Sequence, residues 1–264
     1  MIGNDHVVAT CDDGTIIRRR RRPESAEMDL AQEAALLGRI AETLPLPVPE
    51  VRALSADGTS IVMSRVRGEP LLTSIADVRK SHAARLGAQL GAFLTALHSI
   101  AADDVHDLVP VQSCPLAEYH ADAVRIADTI RAELPGRVVG PLADFLATPL
   151  PSSVRQLRLC HNDLGAEHIF VTSPALEITG IIDWSDAALS DPCLDLGLIW
   201  RDLGETGLVA ALMWLQTDFG ADEAFLERTQ FYARVKALED FEFGLRTGRR
   251  DYLANATLAL SRLF

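Results

Sequence analysis

The sequence has little cysteine chemistry to offer. Its four cysteines, Cys11, Cys114, Cys160 and Cys193, stand far apart and form no C-x-x-C pair. That leaves no paired-cysteine motif and predicts a reduced, disulfide-free chain whose cysteines serve as small core residues. No apolar run reaches the ~20 residues that a membrane span requires. The opening MIGNDHVVATCDDG lacks the basic and apolar regions of a secretion signal. Together these absences predict a cytoplasmic protein. Positive charge is also short, with 25 Lys plus Arg against 37 Asp plus Glu and a net charge of −12. This balance argues against nucleic acid or a lipid surface as partner and favours a cationic ligand. No repeat or low-complexity segment occurs apart from the arginine run at 18–22.

What is present is ample apolar material: 48% of 264 residues, enough for one large domain or two modest lobes sharing a cleft. HVVATCDDGTIIRR reads as two strands around a DDG turn. MDLAQEAALLGRIAETL places Leu30, Leu36, Leu37 and Ile40 at helical spacing, with Glu33 among them. The three prolines of LPLPVPEV stop that helix, and VRALSADGTSIVMSRVRG resembles a second hairpin ending at Gly68. Beyond Gly68 the pattern turns helical. RLGAQLGAFLTALHSIA is amphipathic with small residues on one side, suited to close helix packing, and a further helix covers 116–134. RLC, IFVT and ALEITGIIDW are short strands, and 194–264 is helical with breaks near Gly220 and Gly248. The expected architecture is α+β, with a small β-rich lobe over 1–66 and a larger helical lobe over 67–264.

The segment CHNDLGAEHIF (160–170) is poor core material, holding His161, Asp163 and His168 between apolar flanks. Asp183 follows Asp163 by twenty residues and ends the apolar run ITGIID, which puts its carboxylate at the rim of a strand. One carboxylate can take a proton from a nucleophile while another, with an imidazole, holds a cation against phosphate charge. Protein-kinase-like phosphoryl transfer uses H-x-D-L-x-x-x-N followed by a strand ending in a metal-binding Asp. HNDLGAEH matches it with His168 in place of the Asn. That template also needs a basic residue on an early strand paired with a helix Glu; Arg18 in TIIRRRRR and Glu33 in LAQEAALL fill those places. Arg20 competes with Arg18, because alternate strand residues face the same way.

These pieces resemble the aminoglycoside phosphotransferases, a branch of the protein-kinase-like fold that includes macrolide, choline and other small-molecule kinases. HNDLGAEHI, GIIDWSDAALSDPCLDL, LPLPVPEV, VMSRVRGEPL and LGAFLTALH occur in the family's order over nearly the whole chain. FYARVKALEDFEFGLRTGRRDYL resembles the C-terminal helices of kinases that modify the 2″-hydroxyl of aminoglycosides, a subgroup that also has His at the place of His168. The resemblance implies a two-lobed protein-kinase-like fold whose N-lobe is shortened at its start, because the chain begins at the loop Gly3-Asn4-Asp5.

The resemblance further implies roles. Asp163 is the catalytic base or the orienting carboxylate for the substrate hydroxyl. Asp183 and His168 bind Mg²⁺, although Mg²⁺ prefers oxygen and His168 fits least comfortably. His161 orients the loop. Arg18, where the family usually has Lys, contacts the phosphates of ATP or GTP and is steadied by Glu33. Met63, Ser64, Arg65 and Val66 offer backbone to the purine. Asp202, Glu205, Trp200, Glu239 and Glu242 are candidates for holding an ammonium-rich sugar, since carboxylates recognise such groups. The function implied is transfer of the γ-phosphoryl group to a hydroxyl of an aminoglycoside-like antibiotic. Kinases of other small molecules, an inactive nucleotide-binding relative, and a metal-dependent hydrolase using His161, Asp163, His168 and Asp183 are the competing expectations.

Overall fold

A computed structural model of the chain describes residues 6–11, 14–20, 28–112, 115–215 and 224–264, with backbone alone for His6, Val7 and Arg20. The loop Gly3-Asn4-Asp5, Cys114 and the break near Gly220 lie outside the described residues. Strands β1 (His6–Thr10) and β2 (Thr15–Arg20) pair antiparallel, with Val8 opposite Arg18; Asp12 and Asp13 of the expected turn lie outside the described residues. Alternation along β2 leaves Arg19 exposed and turns Arg18 inward, where it is buried.

Helix α1 (Leu30–Ile40) opens with a capping box: the Asp29 carboxylate accepts the Gln32 N–H, and the Gln32 side chain accepts the Asp29 N–H. Its inner face buries Leu30, Leu36, Leu37 and Ile40, and also Glu33. Strands β3 (Val51–Leu54) and β4 (Ser60–Ser64) complete an antiparallel sheet in the order β1-β2-β4-β3. Leu30, Ile61 and Met63 form a small apolar cluster between this sheet and α1.

The chain leaves the first sheet at Ser64 and forms β5 (Glu69–Pro70), α2 (Ile75–Ser81), α3 (Ala83–His98), α4 (Pro115–Ile130) and α5 (Gly136–Ala147). Four short strands follow: β6 (Arg158–Cys160), β7 (Ile169–Val171), β8 (Ile178–Ile181) and β9 (Ala188–Ser190). Helices α6 (Cys193–Leu212), α7 (Phe225–Thr247) and α8 (Arg250–Leu263) end the chain. Strand β5 pairs with β7, and β7 with β8, so the segment after the first sheet is stitched onto the polar loop region. Gly68 makes that possible. Its φ is +92°, and a Cβ there would collide with the Val171 carbonyl. Strand β6 pairs with β9.

Most of the core lies in the helical lobe, where α3, α6, α7 and α8 pack together. Gly87 and Gly91 of α3 lie directly on the backbone of Gly207 and Ala211 in α6, the use that the small-residue side of this helix predicts. Helix α6 kinks at Gly204 (φ +74°, ψ −172°). Gly248, at φ +72°, ends α7 where a break is predicted. Among the described residues no helix is long and apolar enough to cross a membrane. The Cys11, Cys160 and Cys193 thiols are free.

Candidate active site

Helix α6 holds the polar loop 161–168 from below with two carboxylates placed two turns apart. Asp195 accepts the backbone N–H of His161 at 3.0 Å and of Asn162 at 2.8 Å, and Asp202 accepts that of Ala166 at 2.7 Å. Charge-assisted bonds to buried amides are strong anchors, and both carboxylates are buried. Asn162 (φ +65°) and Asp183 (φ +63°) adopt left-handed backbone, a cost that the surrounding structure must sustain.

His161 is fully buried and both ring nitrogens are committed. Nε2–H donates to the Ile182 carbonyl at 3.1 Å, and Nδ1 accepts the Asp163 N–H at 3.2 Å. Only the neutral ring can do both. Burial agrees, pulling its pKa below the usual value against the opposing pull of Asp195. The ring ties the loop carrying Asp163 to the segment carrying Asp183 and has no nitrogen left for a metal, which removes it from the hydrolase constellation.

His168 faces both acids. Its Nδ1–H donates to the Asp163 carbonyl at 2.8 Å, and Nδ1 lies 3.2 Å from the Asp163 carboxylate. Its Nε2 lies 3.7 Å from Asp183 Oδ2. Burial disfavours the imidazolium, but Asp163, Asp183 and Glu167 outweigh it and raise the pKa to about 9. From the other lobe, Arg18 reaches down between Glu33, with which it forms a buried ion pair, and Asp183, 2.9 Å from Nη1. The Asp163 and Asp183 side chains remain 30% and 36% exposed, opening into one cleft of about 720 Å³.

The donor set fits a divalent cation in part. Since Nδ1 of His168 is held by a carbonyl, its Nε2 is the nitrogen turned toward Asp183, and the two could share an ion whose other ligands are phosphate oxygens. Such an ion would neutralise phosphate charge.

The cleft gathers Arg18, Asp163, His168, Asp183, Glu239 and Glu242, with Glu33 behind Arg18. Met63 is buried, and Ser64, Arg65 and Val66 run on from it; the Arg65 N–H already donates to the Gly14 carbonyl at 3.1 Å. Three of the proposed sugar contacts are not brought to the cleft. Asp202 is consumed by Ala166, Arg201 and Asn255. Trp200 packs against the core, and Glu205 is exposed elsewhere on α6. The reason is orientation: the inward face of this part of α6 is spent on bracing the loop. Phe241 of α7 is likewise buried in the core, whereas Phe243 lines the cleft.

Glu167, Tyr119, Lys236 and Tyr252 line the cleft without having been singled out in the sequence. For Lys236 a signal existed, since 236, 239, 240 and 243 fall at i, i+3, i+4 and i+7 of one helix. Lys236 lies 2.8 Å from Glu239 and 4.9 Å over the Tyr119 ring. Burial opposes its charge, but Glu239, Tyr119 and Asp163 hold its pKa well above the usual value.

A sheet-capped small lobe over a helical lobe, with a carboxylate pair between them and a buried Arg–Glu pair above, defines a kinase-like phosphotransferase. The sequence model of the phosphotransferase enzyme family matches residues 3–230, and the chain belongs to that family. Membership makes it a phosphotransferase. No curated protein matched the sequence. Among solved structures, the chain is similar to the GDP complex of aminoglycoside 2'-phosphotransferase-IIIa, at 20% identity and TM-score 0.73 over 100% of this chain and 90% of that one. It is also similar to a GDP and kanamycin complex of an APH(2")-type enzyme, at 19% identity and TM-score 0.71 over 100% and 91%. A macrolide 2'-phosphotransferase from Brachybacterium faecium matches at 22% identity and TM-score 0.61 over 98% and 90%.

Proposed function

We propose that this phosphotransferase moves the γ-phosphoryl group of ATP or GTP, as the Mg²⁺ complex, to a hydroxyl of an amino-sugar antibiotic of the aminoglycoside or macrolide kind, in the reducing cytoplasm. The observation that carries the reading is the convergence of Asp163 and Asp183 on one cleft, with His168 between them and Arg18 above. Similar folds bound to GDP, to kanamycin, and to streptomycin with ATP support a nucleotide and an amino sugar as ligands.

In this scheme the acceptor hydroxyl stands beside Asp163, which takes its proton as the oxygen attacks phosphorus. The bond from the γ-phosphorus to the bridging oxygen breaks, and the nucleoside diphosphate leaves with the electron pair. Arg18, kept straight by Glu33, holds phosphate oxygens, and Asp183 with His168 Nε2 would hold Mg²⁺, which supplies charge neutralisation. Asp195, Asp202 and His161 keep the loop in place so that little reorganisation is needed. The backbone at 63–66 receives the purine.

The test is mass spectrometry of aminoglycosides, macrolides and small amino alcohols after incubation with protein, Mg²⁺ and each nucleotide. A gain of one phosphate that disappears in Asp163→Ala is expected. Absence of product across the panel would count against the reading.

A further inference from the structure

Helix α7 contributes Lys236, Glu239, Asp240 and Glu242 to the lining of the cleft that Asp163 enters, so an acceptor held in that cleft would meet them. An ammonium-rich acceptor needs surplus carboxylates there, and few are free. Glu239 is paired with Lys236 at 2.8 Å, Glu242 with Arg125 at 3.4 Å, and Asp240 with Arg201 at 3.0 Å. Lys236 is no loose surface charge. Its side chain is 13% exposed and its ammonium sits over the Tyr119 ring. A compound with several ammonium groups would bring one of them toward this cation, where low local dielectric makes like charges repel strongly. A compound with one basic amine could place it away from Lys236 and still present its hydroxyl to Asp163.

Resting on the phosphotransfer reading above, we infer that Lys236 is a specificity-determining residue: paired with Glu239, it favours hydroxyl acceptors carrying a single basic amine over those carrying several. The device is repulsive, acting against the wrong acceptor more than for the right one.

The experiment compares kcat/KM for kanamycin, a polyammonium sugar, and for a macrolide with one basic amine, in the full chain and in two variants. Lys236→Met keeps the apolar stem over Tyr119 and removes the charge. The ratio should shift on the order of tenfold toward kanamycin, mostly through KM. Glu239→Gln leaves Lys236 without its counter-charge, so the ratio should move the other way. Opposite signs cannot arise from poor folding, which lowers both acceptors together. A ratio unchanged in both variants, or moved in the same direction by both, overturns the inference and leaves phosphotransfer standing. A wild-type protein that phosphorylates neither acceptor overturns this inference, and one that phosphorylates no compound of the wider panel overturns the phosphotransfer reading as well.

Discussion

Arg201 is a single guanidinium among three carboxylates, lying 2.8 Å from Asp202, 3.0 Å from Asp240 and 3.4 Å from Glu167. Burial raises the proton affinity of all three acids. Arg201 and Asn255 overcome it only at Asp202, while Asp240 and Glu167 end above their usual range. Ionisation is thus favoured most at Asp202, the carboxylate that holds the Ala166 amide. Arg201→Met should strand a buried charge and cost about 3–5 kcal/mol. Urea unfolding measures it, and a loss under about 1 kcal/mol would show that the cluster is not held by this cation. His161 gives a second residue-level test. The folded protein keeps this ring neutral, whereas in the unfolded chain it takes a proton below about pH 6.5. Its contribution to stability is thus complete at higher pH and is lost as pH falls below that value. The slope should approach about 1.4 kcal/mol per pH unit until the depressed folded pKa is reached. Urea midpoints between pH 5 and 7 in wild type and His161→Gln check this. An equal slope in both proteins would place the proton uptake elsewhere.

At the scale of elements, one chemical change should have opposite consequences in two helices. Gly38 in α1 is exposed with open space at its Cβ, so Gly38→Ala should stabilise by about 0.5–1 kcal/mol through helix propensity. Gly91 lies against the Ala211 backbone, so Gly91→Ala must push α3 from α6 and should cost about 1–3 kcal/mol despite the same propensity gain. Thermal melts of the two variants decide it, and stabilisation by both would mean that the α3–α6 crossing is loose.

The same two helices show what can be read without coordinates. Local signals carry α1, α3 and the two hairpins, because caps, turn residues and periodicity act within a few residues. Helix α5 contains Gly136, Gly140 and Pro141 and carries little helical signal; it is held by burying Val138, Leu142 and Phe145. Strands β5 and β9 have two and three residues, too few for a period, and exist because β7 and β6 lie beside them. The site divides in the same way. Residues 163 and 168 share one loop, and 183 lies two residues past the end of β8, so their spacing along the chain is legible. Asp202 as a brace, Arg201 as its counter-ion and Lys236 beside Tyr119 depend on how α4, α6 and α7 meet, which no local pattern states.

For the molecule as a whole, the question is how the two lobes respond to a ligand that both must hold. They already touch through backbone, with Ile181 N–H donating to the Pro47 carbonyl at 2.9 Å and Met28 N–H to the Ser185 carbonyl at 3.3 Å. The Arg18–Asp183 ion pair spans them at 2.9 Å. In the proposed complex Asp183 turns its charge to Mg²⁺ and Arg18 turns to phosphate, so the ion pair is replaced by a ligand gripped from both sides. A ligand that binds only the folded state stabilises it by about 2.7 kcal/mol at a hundredfold excess over Kd. For a chain of this length that corresponds to about 5–10 °C in Tm. Wild-type protein with nucleotide and Mg²⁺ should show this shift and lose most of it on adding a chelator. Asp183→Asn should show the small, chelator-insensitive shift from the start, because the nucleotide still reaches Arg18 but the metal has lost its carboxylate. Arg18→Met should lose both parts. If Asp183→Asn and wild type gain equally with Mg²⁺ present, the cation is held elsewhere, and Asp183 serves only as an anchor for Arg18 across the cleft.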